Sequence, residues 1–186
     1  AIEFAQKIFG DLRSYTVLLV GAGKIGEQTL KRLIARGVSH VRIVNRSVER
    51  ARFLGQVYGG QAFDLEALTS QLVEADIVIT STAAPSMLIA RAQLETLMPQ
   101  RRHRPLCLID LGVPRNVDPM VSELENVYLF DIDDLQGLVD HHHEQRRQAA
   151  QESQAILQRK VDHFVTWWQG EWQQGEPSSS ALAAAP

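Results

Sequence analysis

Apolar positions along the chain switch between two periods in a regular alternation. Ile2, Ala5, Ile8 and Phe9 recur at helical spacing, and Gly10-Asp11 ends that run. Thr16-Val17-Leu18-Leu19-Val20 is then continuously apolar and β-rich, the composition of a central parallel strand buried on both faces. Further strands are predicted over 41–44, 61–63, 76–80, 106–110 and 126–130. Helical periodicity fills the gaps, over 24–35, 48–58, 65–73 and 89–98. Gly59-Gly60 closes the second of these helices, and Asp64 is placed to cap the third. Strands alternating with helices predict an α/β fold with a doubly wound parallel sheet, followed by a long C-terminal helix.

That last helix begins where the pattern changes, near Asp133. Leu135, Leu138 and Val139 start an apolar stripe, and Leu157, Val161, Phe164 and Trp168 continue it. The stretch has no Pro, and its only Gly is Gly137. It reads as a spacer or dimer arm, with self-association through Val161, Phe164 and Trp168 expected of the isolated segment. The organisation expected is a linking helix over 1–14, a nucleotide-binding domain over 15–132, the long helix over 133–170, and a Ser- and Ala-rich linker over 171–186. The chain opens without Met and already in a helical pattern, so a segment of a longer protein is expected.

Gly21-Ala22-Gly23-Lys24-Ile25-Gly26 is a GxGxxG placed directly after a buried strand and directly before a helix. Gly21 permits the tight turn, Gly23 close approach of backbone to a pyrophosphate, and Gly26 close helix–strand packing. The free N–H groups of the helix start then favour a phosphate. With both flanks correct, the motif predicts a Rossmann dinucleotide site.

The second strand ends Val44-Asn45-Arg46-Ser47. An NAD site usually carries Asp or Glu here, about 20 residues past the glycines, for the ribose 2′-hydroxyl. No acid stands at this point. Asn45 and Ser47 offer hydrogen bonds, Arg46 suits a 2′-phosphate, and Arg50 adds a second cation one turn on. The missing acid and the added cations both select NADPH. At other strand ends, Thr80, Ser81 and Thr82 are candidates to border the cofactor, and Gly112, Val113 and Pro114 to offer backbone contacts to the nicotinamide.

Composition narrows the chemistry. Of 186 residues 45% are hydrophobic, and the net charge of −3 argues against a dedicated nucleic-acid-binding domain. The only cysteine, Cys107, allows no internal disulfide, which predicts a reducing, cytoplasmic location. Cys107 falls mid-strand and reads as a buried hydrophobe rather than a nucleophile. His141-His142-His143 on one helix point in different directions and do not form a metal site. Arg101, Arg102 and Arg104 cluster before the fifth strand, opposite the ligand edge; they are expected to be exposed, with RNA or a partner as open alternatives. No catalytic residue and no metal site is identified.

Longer stretches carry a family likeness. They are 20–26, 44–47, Ala75-Asp76-Ile77-Val78-Ile79-Thr80-Ser81-Thr82, Asp110-Leu111-Gly112-Val113-Pro114-Arg115-Asn116-Val117-Asp118-Pro119, and 127–135. The chain resembles the central and spinal part of glutamyl-tRNA reductases over residues 1–168. The first two stretches also occur in shikimate dehydrogenases; the last two are more specific. The resemblance implies an NADPH domain between a catalytic domain and a dimerisation domain, in a homodimeric enzyme acting on glutamyl-tRNA. There a cysteine of the catalytic domain forms a thioester that NADPH reduces to glutamate-1-semialdehyde, for tetrapyrrole synthesis. No catalytic residue of that family has a matching position here; residues 21–26 and 45–47 carry over as cofactor contacts. Two other readings stay open: the cofactor half of a shikimate-type dehydrogenase, and an NADP(H)-sensing module without chemistry.

Overall fold

A computed structural model describes residues 2–134, residue 154 and residues 156–168. The chain divides into two compact units, Ala1–Gln136 and Gly137–Pro186. In the first unit the strands β1 (Thr16–Val20), β2 (His40–Val44), β3 (Gln61–Phe63), β4 (Ile77–Thr80), β5 (Leu106–Asp110) and β6 (Val127–Phe130) form one parallel sheet of order β3-β2-β1-β4-β5-β6. The chain winds outward from β1 in both directions, so the crevice between β1 and β4 is the switch point where such folds take ligands.

The continuous apolar runs become strands buried on both faces. Val17, Leu19, Ile43, Ile77, Ile79 and Ile109 point to one side, where α1 (Ile2–Phe9), α2 (Lys24–Ile34) and α3 (Val48–Tyr58) cover them. Leu18, Val20, Val44, Val78, Leu106 and Leu108 point to the other, under α4 (Leu68–Glu74) and α5 (Arg91–Leu97). Each such side chain, removed fully from water, contributes roughly 1.5–3 kcal/mol against the entropy of ordering it. The predicted stops appear at the helix ends. Gly59 caps α3 in the left-handed conformation at φ 68°, and Asp64 accepts from the Ala67 amide at 3.0 Å. Pro119–Glu123 forms a short 3-10 turn that periodicity does not reveal.

Helix α1 is more than a linker. Ala5 is fully buried in the first core, and the Phe4 ring stacks on Phe130 with centroids 4.0 Å apart. Residues 2–14 therefore pack into the first unit. In the second unit residues 156–168 are helical, with Leu157, Val161, Phe164 and Trp168 exposed. The predicted start of the stripe, Leu135, Leu138 and Val139, lies outside the described residues, as do His141, His142 and His143.

One expectation is overturned at the sheet's amino edge. Arg101 is 1% exposed. Its Nη1 donates to the carbonyls of Leu72, Val73 and Ala75, and its Nη2 to Pro105 at 3.0 Å. A helix leaves its last carbonyls without partners and its C-terminus electrically negative, so a planar cation seated below α4 answers both needs. Burial pulls the guanidinium down to about 10, so it remains charged at neutral pH. Arg104 is half exposed and binds Asp76 at 2.7 Å, while Asp76 also accepts from the Thr16 amide. Two of the three clustered arginines thus fasten α4 and β4 together; Arg102 alone is an ordinary exposed cation.

Replacing Arg101 with Ala orphans buried carbonyls and leaves a void. We expect chemical denaturation to register a loss of about 2–4 kcal/mol. A change below about 0.5 kcal/mol would contradict the anchoring role.

Candidate functional site

The site starts from the turn between β1 and α2. Gly21 sits at φ 93°, and its amide donates to the Val44 carbonyl, which ties the turn to the end of β2. The loop after β4 presses against all three glycines. A Cβ on Gly21 would meet Thr82 Cγ2 at 2.5 Å, one on Gly23 the Ser81 carbonyl oxygen at 3.0 Å, and one on Gly26 Ser81 Cβ at 2.6 Å and Leu19 Cδ1 at 2.9 Å. The spacing of the glycines therefore answers first to another loop of the protein. Ser81 Oγ then accepts from the Gly26 amide at 3.2 Å. Gly23 caps α2 with no side chain, so the amides of Lys24 and Ile25, in the first turn, remain for an anion.

A cleft of ≈ 320 Å³ opens above this turn. One wall is Gly21, Ala22 and Gly23; a second is Asn45, Arg46 and Arg50; the third is Ser81, Thr82, Ala83 and Ala84. Val20, Leu65 and Leu88 supply apolar surface. No carboxylate lines it. Arg46 is exposed and, among the described residues, has no acidic partner. Arg50 reaches back from α3, and its Nε donates to the Ala22 carbonyl at 3.0 Å. The β2 end of the cleft is accordingly electropositive, with one cation held and one free.

Other sequence-predicted residues fall elsewhere. Lys24 and Ile25 are exposed at the helix start, with the Ile25 side chain outside the cleft lining. Ser47 does not line this cleft. It caps α3, accepting from the Arg50 amide at 3.3 Å, and donates to Glu49. With its own amide, that contact holds the Glu49 carboxyl below its usual range. Asn45 Nδ2 donates to the Ser47 carbonyl. The Thr80 side chain is fully buried and donates to Asp110 Oδ1 at 2.7 Å, so it braces the cleft from below rather than facing it.

Gly112, Val113 and Pro114 also stand outside the lining. Val113 is 75% exposed, whereas Gly112 is enclosed. Its amide is taken by Asp110 Oδ1, and a Cβ there would meet Asn116 Oδ1 at 2.4 Å. The Asn116 side chain fills the space beside this glycine. Cys107 is buried, and burial pushes its thiol up to about 12, which keeps it protonated and inert as a nucleophile.

The residues missed by sequence reasoning are the supports. The Asp110 carboxylate accepts from Thr80 Oγ1 and from the amides of Gly112, Asn116 and Val117, the last two at 2.8 and 3.0 Å. Its signal in the sequence was a lone acid ending an apolar strand. Leu65 and Leu88 left no signal, because Leu65 opens a short 3-10 turn and Leu88 lies in a loop, and only the fold brings either to the cleft.

Comparison with known proteins agrees with this geometry. A family model described as shikimate / quinate 5-dehydrogenase matches residues 3–138. The glutamyl-tRNA reductase of Syntrophotalea carbinolica is 44% identical over 167 residues, which is 90% of this chain and 38% of that protein. The solved glutamyl-tRNA reductase of Methanopyrus kandleri superposes with a TM-score of 0.75 at 36% identity, covering 79% of this chain and 37% of that one. The nucleotide-binding domain of the Thermoplasma volcanium glutamyl-tRNA reductase shares the fold, with a TM-score of 0.60 at 19% identity over 78% of this chain and 94% of that one. The chain thus spans under two fifths of the length of the curated relatives it matches. It belongs to the shikimate / quinate 5-dehydrogenase family, and over 90% of its length it is similar to one segment of glutamyl-tRNA reductases.

Proposed function

We propose that this chain is the NADP(H)-holding part of a glutamyl-tRNA reductase, and that the whole protein reduces an enzyme-bound glutamyl thioester to glutamate-1-semialdehyde. The observation that carries the reading is the cleft's charge. It presents Arg46 and Arg50 and no carboxylate at the β2 end, where a cofactor lacking the 2′-phosphate is ordinarily held by an acid.

The residues divide the work by position. The amides of Lys24 and Ile25, with the α2 dipole behind them, would bind the pyrophosphate. Arg46 would pair with the 2′-phosphate, and Arg50, already aimed by the Ala22 carbonyl, would close on it from α3. The Ser81–Thr82 wall would direct the remaining half of the dinucleotide across the sheet edge toward β5. When bound, the cofactor supplies the hydride. The nucleophile, the glutamyl-tRNA site and the dimer contacts belong, in this reading, to the parts of the protein that flank this segment in its relatives. A cytoplasmic homodimer follows from the same reading. Among the described residues no helix is long and apolar enough to cross a membrane.

A shikimate-type dehydrogenase is the second reading, and the family model's description favours it. The identity of 44% to glutamyl-tRNA reductases over 90% of the chain argues for the first.

Two substitutions test the cofactor assignment. Arg46→Asp should weaken NADPH binding by about 100-fold while changing NADH binding by less than about threefold, as for loss of a charge-assisted phosphate contact. An equal loss of both in a fluorescence titration would remove the 2′-phosphate from Arg46. Gly26→Val forces Ser81 and Leu19 apart and should weaken NADPH binding by at least about tenfold, with a lowered melting temperature. Unaltered affinity would mean that the turn is not the pyrophosphate seat.

A further inference from the structure

The cleft's third wall is an irregular loop, yet one buried residue pins it at both ends. Asn116 is fully buried. Its Oδ1 accepts from the Thr82 amide and from Thr82 Oγ1, each at 3.0 Å. Its carbonyl oxygen accepts from the Leu88 amide at 2.7 Å and the Ile89 amide at 3.1 Å. Thr82 Oγ1 in turn accepts from the Ala84 amide, which orders the interior of the loop. Asn116 is itself held from beneath, where Asp110 Oδ2 accepts its amide at 2.8 Å. Gly112 is bare where the Asn116 side chain needs room. Thr82 and Leu88 both line the cleft; Asn116 does not.

We infer that Asn116 is a positioning residue for the dinucleotide, acting through Thr82 to preset the wall that meets its nicotinamide half. This deepens the proposed function and rests on it. An amide oxygen that accepts two donors from one residue fixes both its backbone and its hydroxyl, so the wall is formed before the ligand arrives. Preorganisation of this kind lowers the ordering cost on binding. The adenosine half, in the proposed reading, meets a different wall of the same cleft, Arg46 and Arg50, and Arg50 is held by the Ala22 carbonyl rather than by this relay. That separation distinguishes a positioning role from a general structural one.

The test uses the full chain and two ligands: NADPH, and adenosine 2′,5′-bisphosphate, which carries the adenosine half alone. Asn116→Ala should weaken NADPH binding by about tenfold and leave the bisphosphate within about twofold. Thr82→Ser, which keeps the hydroxyl and amide that Asn116 holds, should keep NADPH binding to within about threefold of the unaltered chain. Should Asn116→Ala fail to fold, Thr82→Val removes the hydroxyl while keeping the branched shape, and should show the same selective loss. Equal weakening of both ligands, or undiminished NADPH binding, would overturn the inference. Bisphosphate or NADPH failing to bind the unaltered chain at all would instead sink the cofactor reading beneath it.

Discussion

The functional edge of this domain hangs from the Asp110 carboxylate. Four donors converge on it inside the protein: one hydroxyl from β4 and three amides from the loop that follows β5. Each of those amides, left without a partner at this depth, would cost about 1–3 kcal/mol. The carboxylate therefore dictates the path of the loop, the loop places Asn116, and Asn116 places Thr82. Thr82 and Ser81 then stand so close to Gly21 and Gly26 that a Cβ at either would clash. The chain of cause runs from one buried charge to the shape of the cleft.

The two ends of the sheet solve opposite electrostatic problems. At the carboxyl edge α2 presents free amides, and the protein leaves two of them open while Ser81 occupies a third. At the amino edge α4 ends in free carbonyls, and there the protein closes the site with the buried Arg101 guanidinium. One edge is finished with its own side chains; the other keeps, among the described residues, unused donors and an Arg46 without an acidic partner, the features on which the proposed anion site rests.

The sheet was legible in the sequence because strands buried on both faces are apolar without interruption, and helix caps announce themselves with Gly59 and Asp64. The glycine turn and its two arginines were legible because local spacing alone brings them to the same edge. Thr80 and Gly112 sit at strand ends, which makes them candidates for the ligand on local grounds, and tertiary packing gives the Thr80 hydroxyl and the Gly112 amide a shared internal partner in Asp110. Arg101 was read as exposed because a cation in a loop ordinarily is; only the position of α4, nearly thirty residues earlier in the chain, reveals the carbonyls that draw it in. Local pattern brings the glycine turn and its arginines to one edge, and long-range hydrogen bonding decides which other residues line the cleft there.

A cleft built, as proposed, for a dinucleotide carrying a 2′-phosphate must discriminate between the two nicotinamide cofactors. Side-by-side titration of the unaltered chain with NADPH and NADH tests this most directly. NADPH should bind tighter by at least about tenfold, with the difference shrinking as salt screens the arginines. Equal affinity for the two, or preference for NADH, would contradict it.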